Sequence, residues 1–157
     1  MTITSTCDSI ALEKHKGGIF TDKKELVRKA LAAREFSYTP YSHFNVGAAL
    51  LCKNGKVFCG CNIENASYTP TNCAERTAIF KAVSEGERDF AAIAVVGGPA
   101  GAPPEDFCFP CGVCRQVIAE FCGRDFKIYI AKSEDEIREY SLDDILPHAF
   151  TEEDLHK

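Results

Sequence analysis

Three cysteines and one glutamate carry the chemistry that this sequence can do. Cys73-Ala74-Glu75-Arg76 sets a thiol, a carboxylate and a guanidinium within four positions, and Pro110-Cys111-Gly112-Val113-Cys114 supplies two more thiols. Three thiolates can hold a zinc ion and leave one of its four tetrahedral positions open for water, which is the arrangement of a catalytic zinc rather than a structural one. Glu75 stands two residues from a ligand candidate and can work on that water. Cys111 and Cys114 are three apart, so a helix projects both thiols from one face. Alone, that pair is open to two readings, half a metal site or a redox dithiol of the thioredoxin type. Cys73, at the start of a separate helix, favours the metal. A closed four-thiolate site would need Cys108 or Cys122; the first precedes Cys111 by three in a loop and the second lies at the far end of the helix. Such a site would also leave Glu75 and Arg76 without a purpose.

The elements that must position these residues follow from pattern. Thr21 is a candidate cap for a helix starting at Asp22, with Leu26, Val27, Ala30, Leu31 and Arg34 at helical spacing and an end near Phe36. Phe44 to Cys52 is an apolar strand, and Asn54-Gly55 predicts a hairpin with positive φ at both central residues, returning through Val57 to Ile63. Cys59 and Cys61 share a face of that strand and read as buried structural thiols. Residues 62–72 form a polar connection into Cys73, which opens a helix to about Glu85 with Asn72 as its cap. There a thiolate sits at the positive end of the helix dipole. Phe90 to Gly97 is a buried strand, residues 97–106 a Gly/Pro-rich loop, and Cys111 opens a helix stopped at Gly123. Phe126 to Ala131 is a further strand, and Ser141 with Asp144 forms a capping box for a short helix over Leu142 to Leu146. Strands alternating with helices after an initial hairpin predict an α/β layered domain with a mixed sheet. The strand order does not follow from these signals.

At 157 residues and 45 % hydrophobic content the chain fits one ordinary domain, spanning 21–157, with residues 1–20 as a loosely ordered extension. That extension lacks the apolar core of a secretory signal, and no apolar run approaches the ~20 residues that cross a bilayer. A net charge of -5 argues against a polyanionic partner and for a small uncharged ligand. Nine cysteines without an export signal point to reduced thiols in the cytoplasm rather than a disulfide framework.

On Cys73-Ala74-Glu75-Arg76 followed by Pro110-Cys111-Gly112-Val113-Cys114-Arg115-Gln116, the chain resembles the zinc-dependent cytidine deaminases, in the small homotetrameric, three-cysteine form that acts on free nucleosides. The resemblance runs from about Pro40 to Leu155. It implies a three-layer α/β/α sandwich with a mixed five-stranded sheet. The implied reaction is hydrolytic deamination of cytidine and deoxycytidine to uridine and deoxyuridine, in pyrimidine salvage; a deaminase of a nucleoside-like antibiotic shares the zinc motif and is the alternative. Zn2+ would be held by Cys73, Cys111 and Cys114, with Arg76 donating to ligand sulfurs and Glu75 moving protons between water, ring N3 and the leaving amine. Carried over to matching positions, Phe44 would stack on the pyrimidine, Asn62 and Glu64 would hold the ribose 3′-hydroxyl, and Ala74 would contact the substrate. Ala66, Tyr68 and Phe150 would reach a neighbouring subunit's site in a homotetramer.

Overall fold

The computed structural model describes residues 22–156. The extension over 1–20 and the capping role expected of Thr21 lie outside them. Helix α1 (Lys23–Arg34) is capped by Asp22, whose carboxylate accepts from Lys24 N–H at 3.0 Å. It stops two residues short of the expected Phe36, because Phe36 and Ser37 N–H turn back to the carbonyls of Ala33 and Arg34 in a tightened last turn.

Strand β1 (Phe44–Cys52) runs as expected, and β2 (Val57–Cys61) returns antiparallel to it. The hairpin differs from expectation: Gly55 alone adopts positive φ, at 90°. Gly55 N–H closes on the Cys52 carbonyl and Cys52 N–H on that of Lys56, so three residues form the loop. Ile63 is not part of β2. It makes isolated bridges to Tyr38 and Asn72 instead, which folds the 62–72 connection back over the start of the next helix.

Helix α2 (Ala74–Ser84), strand β3 (Phe90–Pro99), helix α3 (Gly112–Phe121) and strand β4 (Lys127–Ala131) follow, then β5 (Ile137–Tyr140), α4 (Leu142–Ile145) and α5 (Glu152–Leu155). The sheet order is β2-β1-β3-β4-β5, antiparallel except for the β3–β4 pair, which makes it the mixed five-stranded sheet expected. Alternation along the strands divides the core. Ala49, Leu51, Ala92, Ala94 and Val96 pack under Leu26, Val27 and Ala30 of α1. Ala48, Leu50, Ile93, Val95, Ile128 and Ile130 face the other way, onto Ala74, Ala78 and Ile79 of α2 and Ile118 of α3. Helices therefore cover both faces, in three layers.

The sequence pays for close helix contact with glycine. A Cβ on Gly60 would meet the Ala74 carbonyl oxygen and the Ala78 nitrogen, each at 2.5 Å, so α2 crosses β2 at backbone distance. This crossing sets the depth of the first turn of α2, and with it the height of Cys73 and Glu75. Among the described residues no helix is long and apolar enough to cross a membrane.

Candidate active site

Cys73 and Cys111 are the N-caps of α2 and α3, not their first residues, with extended backbones at ψ 156° and 166°. Asn72 is not the cap expected for α2; its amide donates to Thr77 Oγ1 at 3.0 Å. A thiol is a poor cap, and neither cysteine side chain bonds its helix's first turn. Both sulfurs turn instead toward each other at 3.8 Å, and Cys114, one turn into α3, brings its sulfur to 3.6 Å from that of Cys111. All three lie within 4.8 Å of one another. Two helix N-termini thus converge with three thiols between them, in a field that favours thiolate.

The electrostatics follow from that crowding. Cys73 is drawn down to about 5, first by the hydrogen bond from the Cys114 thiol and then by those from Arg76 and Cys111. Cys114 is pushed strongly up for the reciprocal reason, as donor to Cys73, and by burial. Arg76 Nη2 lies 3.6 Å from Cys73 Sγ and 3.2 Å from the Thr71 carbonyl, while its Nε is buried without a hydrogen-bond partner. Glu75 is 3 % exposed, and burial, helped by the Cys73 charge, raises its carboxyl to about 7.

These residues fit zinc. A tetrahedron with Zn–S bonds of 2.3 Å has edges of about 3.8 Å, which the Cys73–Cys111 and Cys111–Cys114 separations match, with the third pair within 4.8 Å. Three thiolates outweigh a dication by one charge, and the half-buried guanidinium at Cys73 is the counter-charge such a site needs. Among the described residues Cys108 and Cys122 stay outside the cluster, and no four-thiolate arrangement forms. Cys59 and Cys61 are half-buried in β2, away from the trio; Cys61 is the free thiol expected, whereas Cys59 is disulfide-bonded, which corrects the reduced structural thiol expected there. Cys52, Cys61, Cys73, Cys108, Cys111, Cys114 and Cys122 carry free thiols.

Three of the expected substrate residues, Phe44, Asn62 and Glu64, gather along a rim at the start of β1. Gly97 of β3 ties that rim to the centre: a Cβ there would meet Cys108 Sγ at 2.6 Å and Phe44 Cε1 at 3.1 Å. Cys108 in turn is pushed up to about 11, by burial and then by the charges of Glu75 and Cys73. Phe44 is 39 % exposed. Asn62 bridges backbone, accepting from Val46 N–H at 2.8 Å and donating to the Phe44 carbonyl at 2.9 Å. Glu64 Oε2 accepts from Tyr41 and Ser42 N–H at 3.0 and 3.2 Å, holding the turn that leads into Phe44. Ala74 has a fully buried side chain, which leaves only its backbone to offer. Ala66 and Tyr68 lie on the exposed 62–72 loop, Tyr68 edge-on to Tyr41 at 6.0 Å. Phe150 is exposed, and its carbonyl accepts from Gln116 Nε2 at 2.7 Å.

Residues given no role by sequence reasoning hold the frame. Arg115 donates to the Pro110 carbonyl, just before Cys111, and to that of Ile145, both at 2.7 Å. Phe107, in the loop leading to Cys111, lies under the Arg138 guanidinium at 3.9 Å. Arg115 and Gln116 stood beside the Pro-Cys-x-x-Cys motif as a signal; Arg138 sits on a strand that was not located.

Residues 20–130 match the model of the cytidine and deoxycytidylate deaminase zinc-binding region. A cytidine deaminase of Halalkalibacterium halodurans is 53 % identical over 86 % of this chain and 98 % of its own length, and one of Sporosarcina psychrophila is 50 % identical over 85 % and 95 %. The crystal structure of cytidine deaminase from Burkholderia pseudomallei superposes with a TM-score of 0.76 at 47 % identity, covering 83 % of this chain and all of that one. With its thiol trio between two helix N-termini and a buried glutamate beside it, this chain belongs to the cytidine and deoxycytidylate deaminase family.

Proposed function

We propose that this chain hydrolyses cytidine and deoxycytidine to uridine and deoxyuridine, releasing one ammonia per turnover. The observation that carries this reading is a carboxylate 3 % exposed beside three converging thiols. Cys73, Cys111 and Cys114 would hold the zinc, which when bound supplies the Lewis acidity that makes water a nucleophile near neutral pH. Glu75, raised to about 7, populates both protonation states at that pH, so it can take a proton from water, deliver it to ring N3, and later protonate the leaving amine. Arg76 holds Cys73 in its anionic form. Phe44 offers its ring to the pyrimidine face. Asn62 keeps one amide hydrogen and one lone pair, and Glu64 its second oxygen, for a sugar hydroxyl.

Purified protein with stoichiometric zinc should convert cytidine and deoxycytidine, read as the loss of cytosine absorbance and the release of ammonia. A carboxylate at the sugar and a net charge of -5 disfavour phosphate, so cytidine 5′-monophosphate and single-stranded DNA should show kcat/KM values lower by at least about 10²-fold. Equal efficiency on the monophosphate would refute the assignment to free nucleosides.

In the same reading the enzyme is a cytoplasmic homotetramer in which Ala66, Tyr68 and Phe150 complete a neighbour's site. Exposure of 72 % at Tyr68 and 58 % at Phe150 supports it, since aromatic side chains so placed are available to a second chain. Light scattering at assay concentration should return four times the 17.2 kDa of one chain. A fully active monomer rules the arrangement out.

A further inference from the structure

Arg34 lies outside the site, yet its side chain is 5 % exposed. Among the described residues its ion-pair partner is Glu35, which is 3.8 Å away and 72 % exposed. Its hydrogen-bond partners are three backbone carbonyls from two segments, Asn45 of β1 at 3.0 Å from Nε, and Pro99 at the end of β3 and Ala102 of the turn that follows it at 2.5 and 2.8 Å from Nη2. An apolar residue could fill such a position at similar stability, because desolvating a guanidinium offsets most of what its hydrogen bonds return. What the planar fork adds is geometry, one rigid plane to which three carbonyls are referred.

These carbonyls surround the end of the sheet that bears the substrate rim. Phe44 pairs with Pro99 and Asn45 with Gly98, so Arg34 bonds residues on both strands of the last two rungs of the β1–β3 ladder. One rung further in is Gly97, against which the Phe44 ring and the Cys108 thiol both rest. An open cleft lined by Leu31, Arg34, Glu35, Gly101, Ala102 and Pro103 lies between α1 and the adjoining loop. The hydrogen bonds from Arg34 span that gap. On the side away from α1, Ala100 N–H donates to the His43 carbonyl at 2.8 Å and completes the junction.

We propose that Arg34 is a positioning residue for substrate binding: it locks the β1–β3 junction and the 99–102 loop so that the Phe44 ring stands at a fixed height over the pocket. The proposal rests on the nucleoside-deaminase reading above. It predicts a split between binding and chemistry, because Cys73, Glu75, Cys111 and Cys114 are carried by α2 and α3 on the opposite face of the sheet from α1.

The test compares zinc-loaded Arg34→Lys with the parent, using Leu26→Ala as a control for destabilising α1 alone. Arg34→Lys should keep one zinc per chain and a kcat within about twofold, while KM for cytidine and the Kd for the product uridine each rise about tenfold. Leu26→Ala, buried on the same helix, should lower the melting temperature and leave both KM and Kd unchanged. Gly98→Ala attacks the junction from the sheet side, since its Cβ would meet Pro104 Cα at 2.9 Å and Arg34 Nη2 at 3.3 Å, and should reproduce the rise in KM. That variant decides the matter if Arg34→Lys does not fold. A KM within threefold of the parent in both junction variants, or an equal rise in Leu26→Ala, overturns the proposal. A parent protein that binds zinc but does not turn over cytidine refutes the functional reading instead, which keeps the two failures apart.

Discussion

Glu75→Gln is expected to bind one zinc per chain, to melt where the parent melts, and to turn over cytidine at least about 10³-fold more slowly. The side chains are the same shape, and the position is 3 % exposed, so packing is unchanged. Burial already drives this carboxyl toward its neutral form, with a titration raised to about 7, so a neutral amide introduces no new desolvation. What it removes is the ability to accept a proton from water and give it to ring N3 and the amine. One general acid-base group contributes about 10²- to 10⁴-fold, and a group used at several transfers belongs near the upper end. The comparison is steady-state kcat with zinc measured by elemental analysis on the same samples. More than about a tenth of parental turnover would show that another group shuttles the proton. Loss of zinc from Glu75→Gln would make the carboxylate a ligand or its support, and the proposed roles would have to be redrawn.

The parts of this molecule that were legible in its sequence are those fixed by short-range chemistry. β1 runs over Phe44–Cys52 as its apolar run and the following Asn-Gly pair predict, and the Ser141–Asp144 capping box forms as spaced. The thiol trio assembles because two motifs each put a cysteine at a helix start. The caps themselves misled: Asn72 is the better capping residue by propensity, but the chain gives the position to Cys73, whose sulfur is needed elsewhere. β5 escaped detection because an edge strand of four residues with Arg138 and Glu139 in its middle has no continuous apolar pattern. Arg34 appeared only as a member of an apolar stripe, since helical spacing reports which face is buried and not that a guanidinium is buried there for its hydrogen bonds. Sheet order and the carbonyls that Arg34, Asn62 and Arg115 seek are set by contacts between distant segments, which no local window contains.

Cys73→Ala is expected to lose zinc and activity together. Cys111 and Cys114, 3.6 Å apart on one helix, remain as a two-thiol fragment, and the sulfur that joins α2 to α3 across 3.8 Å is gone. The loss extends beyond one bond. Arg76, half-buried and with an Nε that already lacks a partner, would lose the thiolate at Cys73 and keep only the Thr71 carbonyl and the Cys114 sulfur. Removing even an outer hydrogen-bond partner of a metal ligand typically costs 10- to 100-fold in metal affinity, so deleting a ligand together with its counter-charge should exceed about 10²-fold. Titration against a competing chelator measures this directly. Cys108→Ala is the matching control. Its thiol is near enough to feel the charges of Glu75 and Cys73 but lies outside the cluster, so that variant should retain one zinc per chain at parental affinity. Full zinc in Cys73→Ala, or zinc lost from Cys108→Ala, would reject the three-thiolate assignment. Because the control thiol lies in the loop that leads to Cys111, equal damage from both substitutions would locate the metal's support in that loop rather than in the two helix N-termini.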